Sequence, residues 1–319
     1  MRLIFSNRKK IQRSSTHRAL AGAKGKMKFI SSPGFTLMEL LVVIAVIGLL
    51  SSIIFAITRG ANEQGRIAKG LYFSQHLHNS LGSYAAGIWS FDEGVGATVA
   101  DTSGWDNNGT LVNAPTWRCA STDSDYTPSG QGCSLEFNGS TQYVDAGDGA
   151  SFKNMGSAVT VEAWAKYDAY GGGGQSYSVI AVKGSPWTFL LENPSQKIRF
   201  RVNAGGVDAN AQDSDIHELN RWYHFVGTYD GSNIRIYKDG VQVGITPRTG
   251  TLAVNDITAK IGTYQGANYN FDGLIDEVRI YNTALTSVQI QSQYYAGLGR
   301  LLAKGQLTEQ EYRQCLVKG

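Results

Sequence analysis

Apolar and polar positions fall into three regimes along the 319 residues. The first has no period: Phe35 to Ile57 is a run of 23 residues with a single charge, Glu39. Wound as a helix at 1.5 Å per residue, such a run spans a hydrocarbon layer of about 30 Å. It predicts a transmembrane helix over 35–57. In the second regime, residues 58–87, Arg59, Glu63, Arg66 and Lys69 appear while Ile67, Leu71, His78, Leu81 and Ala85 recur at three- and four-residue steps. That spacing predicts an amphipathic helix or linker leading out of the span. Gly60, Gly65 and Gly70 each weaken it by about 1 kcal/mol relative to Ala, which predicts a bend or local melting near 60–70.

The third regime has period two. Val159, Val161, Ala163, Ala165 and Tyr167 share one phase of a half-buried strand, and Ile198, Phe200 and Val202 alternate with Arg199 and Arg201 more sharply still. Three further short runs, Trp222–Tyr229, Ile234–Tyr237 and Val241–Val243, are separated by Asp230-Gly231 and Asp239-Gly240, dipeptides that favour tight hairpins. All six Trp lie beyond residue 88, so the core is placed there. Short strands with no long helical pattern between them predict an antiparallel β-sandwich over 88–296. Residues 297–319 read as two short helical pieces around Gly305, with Thr308 to Glu311 as a capping box. The expected fold class is α+β: a long N-terminal helix, a sandwich and a short helical tail.

Charge sharpens the first regime. Nine of the 29 basic residues lie in 1–34, where there is no acid, so the remaining 20 face 26 carboxylates. An acidic body with a short basic head lacks the basic face that nucleic acid requires, and no nucleic-acid partner is expected. A basic flank ahead of an apolar run instead orients it, with the N-terminus in the cytoplasm and the C-terminal domain outside. A charged fraction of 17% and 38 Gly suit a turn-rich β-domain.

Three readings compete for the apolar run: a cleaved secretory signal, a plain signal anchor and a prepilin signal. The run is longer than the 7–15 residues usual in a secretory signal, and no small-residue cleavage site follows it. A plain anchor gives no reason for an acid at its edge, where an unpaired charge costs about 2–3 kcal/mol. Ser32-Pro33-Gly34-Phe35-Thr36-Leu37-Met38-Glu39 resembles the processing site of the type IV prepilins, the family of type IV pilins and type II secretion pseudopilins. The resemblance implies cleavage after Gly34 by prepilin peptidase, methylation of Phe35 as the new N-terminus, and Glu39 as the acid that meets a neighbouring subunit's amine, since a carboxylate among apolar groups is tolerated when paired with a cation. Residues 1–34 are then the leader, and Met27 would start an eight-residue one. The span lacks an internal proline, which leans toward a minor pilin or pseudopilin.

Further stretches resemble the laminin-G-like jelly rolls of the concanavalin A-like superfamily: Trp89 to Gly94, Asp101 to Gly104, Leu135 to Val144, Trp222 to Gly231 and Phe271 to Asn282. Members bind glycans or proteins or are purely structural, so fold alone does not name a ligand. Expected partners are the peptidase, other pilin subunits, the membrane, and glycans or surface proteins. The expected location is the bacterial cytoplasmic membrane with one span, and the cell surface after assembly. The alternative is an unprocessed, signal-anchored surface lectin.

Candidate chemistry is sparse. Cys119 and Cys133, in an exported domain, are expected to form a disulfide, which leaves Cys315 as a free thiol or paired with another chain; a link from Cys315 to Cys119 or Cys133 is the alternative. Asp276, read as sharing an inward phase with Leu274, Val278 and Ile280, needs a partner: either Ca²⁺, with Asp92 and Asp101 as further ligands, or backbone N–H groups of a neighbouring loop. No cofactor is required otherwise. Asp276 and the adjacent Glu277 should face opposite sides of their strand and cannot serve as a glycosidase pair, and no enzyme activity is expected. The five His show no metal-ligand spacing, and His224 reads as structural. Gly171–Gly174 reads as a loop, and Trp105, Tyr126, Tyr170, Trp187 and Tyr269 are loop aromatics that could stack on sugars.

Overall fold

The computed structural model describes residues 36–52, 81–119, 132–153, 155–169, 176–193, 195–264, 269–303, 305 and 307–318. The chain divides into two compact units, 1–58 and 59–319. In the first, helix α1 occupies 37–52, within the apolar run, with its Leu, Val and Ile side chains exposed. The leader, Gly34, Phe35 and most of the 58–87 segment lie outside the described residues.

The second unit is the expected sandwich. In chain order its elements are β1 (Ala85–Trp89), β2 (Thr98–Val99), β3 (Gly109–Val112), β4 (Thr116–Cys119), β5 (Cys133–Asn138), β6 (Tyr143–Gly147), α2 (Ala150–Lys153), β7 (Val159–Tyr167), β8 (Tyr177–Val182), β9 (Trp187–Glu192), β10 (Lys197–Ala204), β11 (Val207–Gln212), β12 (Trp222–Tyr229), β13 (Asn233–Lys238), β14 (Val241–Pro247), β15 (Ala259–Ile261), β16 (Asp272–Tyr281), α3 (Ser287–Ala303) and α4 (Glu309–Lys318). One sheet runs β14-β13-β12-β7-β16-β5-β4, with β1 also on β16; the other runs β11-β10-β9-β8-β15-β6-β3-β2. Neighbouring strands are antiparallel throughout.

The core lies between the sheets and is built from the alternations. Val159, Val161, Ala163, Ala165 and Tyr167 of β7 and Ile198, Phe200 and Val202 of β10 join one apolar cluster with Trp89, Trp187 and Phe225. Gly227 makes room for it: a Cβ there would meet the Phe200 ring at 2.3 Å. The Asp-Gly hairpins form as expected. Asp239 and Gly240 both take positive φ, the geometry of a type I′ turn, and the Asp230 carboxylate accepts the N–H groups of Ser232 and Asn233.

Four features depart from the sequence reading. Strand β7 is buried on both faces rather than half-buried, because α3 and α4 cover its outer side: Trp164 clusters with Tyr294, Leu298 and Tyr312. The sandwich begins at Ala85, where β1 pairs with β16. The expected boundary at 296/297 falls inside α3, which starts at Ser287 behind a capping box of its own, Thr286 with Gln289.

The fourth departure concerns Asp276. Glu277 takes φ +52° and the register of β16 shifts between Asp276 and Arg279, a bulge that reverses the strand's phase. Ile275, Val278 and Ile280 therefore face the core, while Asp276 is paired with Trp164 on the outer side. The bulge sits where β16 hands over from β5, at Asp272–Ile275, to β1, at Val278–Tyr281.

Candidate functional site

At the N-terminus, the described part of the processing segment is a closed capping box. The Thr36 N–H and hydroxyl both donate to Glu39 Oε2 (2.9 and 2.8 Å), and the Glu39 N–H donates back to Thr36 Oγ1 (3.2 Å). The same arrangement opens α4, where Thr308 and Glu311 exchange bonds of 2.7–3.2 Å as the sequence predicts. Glu39 is thus held by the first turn of its own helix.

In the sandwich, Cys119 and Cys133 are disulfide-bonded across the β4–β5 pair, and Cys315 is a free thiol on α4. The three proposed calcium carboxylates are not gathered into one ligand set; among the described residues no group of three or more His, Cys, Asp or Glu is arranged to hold a metal ion. Asp101 accepts from the N–H groups of Ile88, Ser103 and Asn107 and from the Ser103 hydroxyl. Asp276 accepts the Glu277 N–H (2.8 Å). Burial and the nearby Glu277 push the Asp92 carboxyl up, against hydrogen bonds from Ser90 and Cys133. Glu277 pairs with Arg279 of its own strand, and its other oxygen stands 3.9 Å from Arg300 of α3. Burial, with Arg279 adding to it, holds the Arg300 guanidinium below its ordinary range, opposed by Glu277, Asp276 and Asp92. The bulge thus lets Asp276 and Glu277 act on one guanidinium, contrary to the strict alternation expected of them.

Beside this lies a network that the sequence reading missed. Glu162, fully buried, meets Arg279 Nη1 at 2.8 Å and His224 Nε2 at 3.0 Å, and the Gln293 amide of α3 stands 2.6 Å from it, where turning its nitrogen toward the carboxylate lets it donate. Burial pushes the Glu162 carboxyl up, but Arg279 and His224 outweigh it and hold it below the ordinary carboxylate range. His224 is structural, as expected. The available signal was an acid flanked directly by Val161 and Ala163 in a largely apolar strand.

Of the loop aromatics, Trp187 is fully buried in β9, and Tyr269 packs on Tyr177 and Tyr264. Trp105 is exposed; Tyr126, Tyr170 and Gly171–Gly174 lie outside the described residues.

A cleft of about 700 Å³ opens between α4, the β13–β14 hairpin and the loop that follows β11. Arg221 lies 4.8 Å over the Tyr223 ring and bridges Glu218 (3.7 Å) and Asp239 (3.9 Å). Lys238 joins Asp213 and Asp215, each at 3.0 Å. Burial pushes the Asp239 carboxyl up despite the His224 N–H it accepts. Val241, Val243, Ile216 and Leu307 add apolar surface, and Glu311, Gln314 and Cys315 form the α4 wall. Alternating donors and acceptors beside apolar patches can hydrogen-bond hydroxyls while covering C–H faces.

Comparison with known proteins agrees with both ends of the chain. Residues 31–55 match the prokaryotic N-terminal methylation motif, and residues 138–291 match the concanavalin A-like lectin/glucanases superfamily. No curated protein matches the sequence. Similar solved structures include the binding domain of botulinum neurotoxin serotype D, with 14% identity over 70% of this chain and 53% of that one and a TM-score of 0.51. Another is the binding domain of Paraclostridial mosquitocidal protein 1, with 12% identity over 68% of this chain and 53% of that one and a TM-score of 0.53. The chain spans about half the length of these structures, and at such identities the likeness is one of fold. The chain therefore joins a prokaryotic N-terminal methylation motif to a laminin-G-like jelly roll of the concanavalin A-like superfamily.

Proposed function

We propose that the mature chain begins at Phe35 and is a minor pilin or pseudopilin, cut and methylated by prepilin peptidase and displaying its jelly roll outside the cell. The observation that carries this is the lone acid Glu39, four residues past Phe35 in an otherwise uncharged run, within the matched methylation motif. Cleavage after Gly34 leaves the Phe35–Thr36 peptide intact, so the Thr36 N–H that caps α1 survives processing. Both Thr36 bonds fall on Glu39 Oε2. The second carboxylate oxygen is then the one offered to the amine of a neighbouring subunit, and the uncharged side chains of α1 to its helix. No helix among the described residues is long and apolar enough to cross a membrane, and the described residues cover the run only from 36 to 52. Membrane insertion is part of the proposal and rests on the full run 35–57.

The head is read as a binding module rather than an enzyme, taking glycans in the cleft beside Arg221 and Tyr223, where hydroxyl partners and apolar surface adjoin. Mass spectrometry of the chain from membranes tests the assembly reading: N-methylated Phe35 at the mature N-terminus is expected, and an intact leader would overturn it in favour of the signal-anchored surface lectin. A glycan array probed with the detergent-solubilised full chain tests the cleft. Binding that Arg221→Ala abolishes supports it; an array without hits removes it.

A further inference from the structure

Lys183 directly follows β8 and its side chain is fully buried. An ammonium leaves water only where other dipoles and charges replace its hydration shell. Here the replacement comes entirely from oxygen atoms. Nζ lies 2.8 Å from Asp148 Oδ1 and 3.4 Å from both the carbonyl and the side-chain oxygen of Asn255, and it also donates to the Ile257 carbonyl. Asp148 precedes Lys183 by 35 residues and Ile257 follows it by 74, so the cage draws together the exits of β6 and β8 and the loop ahead of β15.

The cage is built closely. Asn255 Oδ1 also accepts the Ile257 N–H (3.2 Å), which fixes the loop that supplies three of the four oxygens. Gly184, at φ +67°, lets that loop approach: a Cβ there would stand 2.7 Å from Asn255 Nδ2. The other Asp148 oxygen is 3.1 Å from Lys153, which also reaches toward Asp256 at 3.9 Å. One carboxylate, one amide oxygen and two backbone carbonyls, drawn from separate segments, form a donor set of the kind hard cations take.

We propose that Lys183 is a tethered cation: its ammonium fills an oxygen-lined cation site, so that this three-segment clasp closes without metal, and removing the ammonium opens the site to a free Ca²⁺ ion. Asp148 is then a ligand of the clasp, a role that none of the carboxylates near Arg300 shares. The inference stands apart from the pilin reading, since it concerns only how the head is closed.

The test is thermal unfolding of the detergent-solubilised full chain, wild type and Lys183→Ala, in EDTA and across a calcium titration. Wild-type Tm is expected to be the same in both. Lys183→Ala is expected to melt lower in EDTA and to recover by about 5–10 °C at calcium about a hundredfold above its dissociation constant. Adding Asp148→Asn to that variant should abolish the recovery. If Lys183→Ala does not fold in EDTA, refolding in calcium replaces the melt: recovery supports the site, and failure in both overturns it. A Lys183→Ala chain that ignores calcium also overturns it. So does a wild-type calcium response lost in Asp148→Asn, which would place a metal in the cage. Intact mass of the reduced wild type gives a last check: a deficit of one ammonia would reveal a Lys183–Asn255 amide where the ammonium is assigned.

Discussion

Asp213 offers a direct test of the electrostatics around the cleft. It follows β11 at 2% exposure, with Oδ1 accepting the Asp215 N–H at 2.9 Å. Lys238 Nζ of β13 and His217 Nε2 stand 3.0 and 3.3 Å from Oδ2. Burial alone would raise this carboxyl, but His217, the Asp215 N–H and Lys238 outweigh it and hold it at about 2, against an ordinary 3.8. A carboxyl lowered by folding contributes stability that is complete above its unfolded value and is lost as pH falls through the folded one. The window is therefore about pH 4 down to about 2, and the size, at 1.36 kcal/mol per pH unit, is about 2.5 kcal/mol. Asp213→Asn keeps the shape and removes the charge. In urea unfolding of the full chain at pH 7 it should lose about 2 kcal/mol, and the gap to wild type should close between pH 4 and 2 as the wild-type carboxyl protonates. A gap that stays constant over that window, or is absent at pH 7, would refute the assignment of stability to the charged carboxylate.

Two further outcomes follow from contacts elsewhere in the head. Glu162→Ala removes one of the two carboxylates paired with Arg279 and the acceptor of His224, and should cost about 3 kcal/mol in urea unfolding at pH 7; a loss under about 1 kcal/mol would mean that the network under α3 contributes little. Reducing Cys119–Cys133 reopens the loop between β4 and β5, worth about 3 kcal/mol on the chain-entropy account, so a thiol reductant should lower Tm by about 6–12 °C, and Cys119→Ser/Cys133→Ser should melt there with or without reductant.

The sandwich was legible because its interior is written in period two. In β7, β10 and β12 the inward residues form an unbroken alternate series, and the Asp-Gly turns fix where strands end. What escaped was anything depending on a second layer. Thr160, Glu162, Trp164 and Lys166 occupy the phase that a two-layer sandwich would leave wet, yet all are buried. For Glu162 and Trp164 the cover comes from α3 and α4, and for Thr160 from the segment just ahead of α3, all more than 100 residues later, and no local pattern in β7 announces it. The start of α3 did carry a signal, the Thr286–Gln289 capping box, of the same form as the one recognised at Thr308–Glu311.

The candidate site shows the same limit at the scale of single residues. Asp276 was assigned a face by counting in twos, and one residue at positive φ, Glu277, undid the count. Alternation holds only while every residue occupies the β region, and a bulge shifts each later side chain to the other side. Two facts constrain β16: it must exchange β5 for β1 halfway along, and it must keep Ile275, Val278 and Ile280 on the core. A 275, 278, 280 series cannot lie on one face of a regular strand, whose faces repeat at even intervals. One extra residue is therefore needed between Ile275 and Val278, and the sequence hides it, because Leu274, Val278 and Ile280 offer an equally apolar series at even spacing. At that extra residue Glu277 pairs with Arg279 of its own strand and stands 3.9 Å from Arg300, a second cation that comes from the helix the sandwich pattern did not foresee.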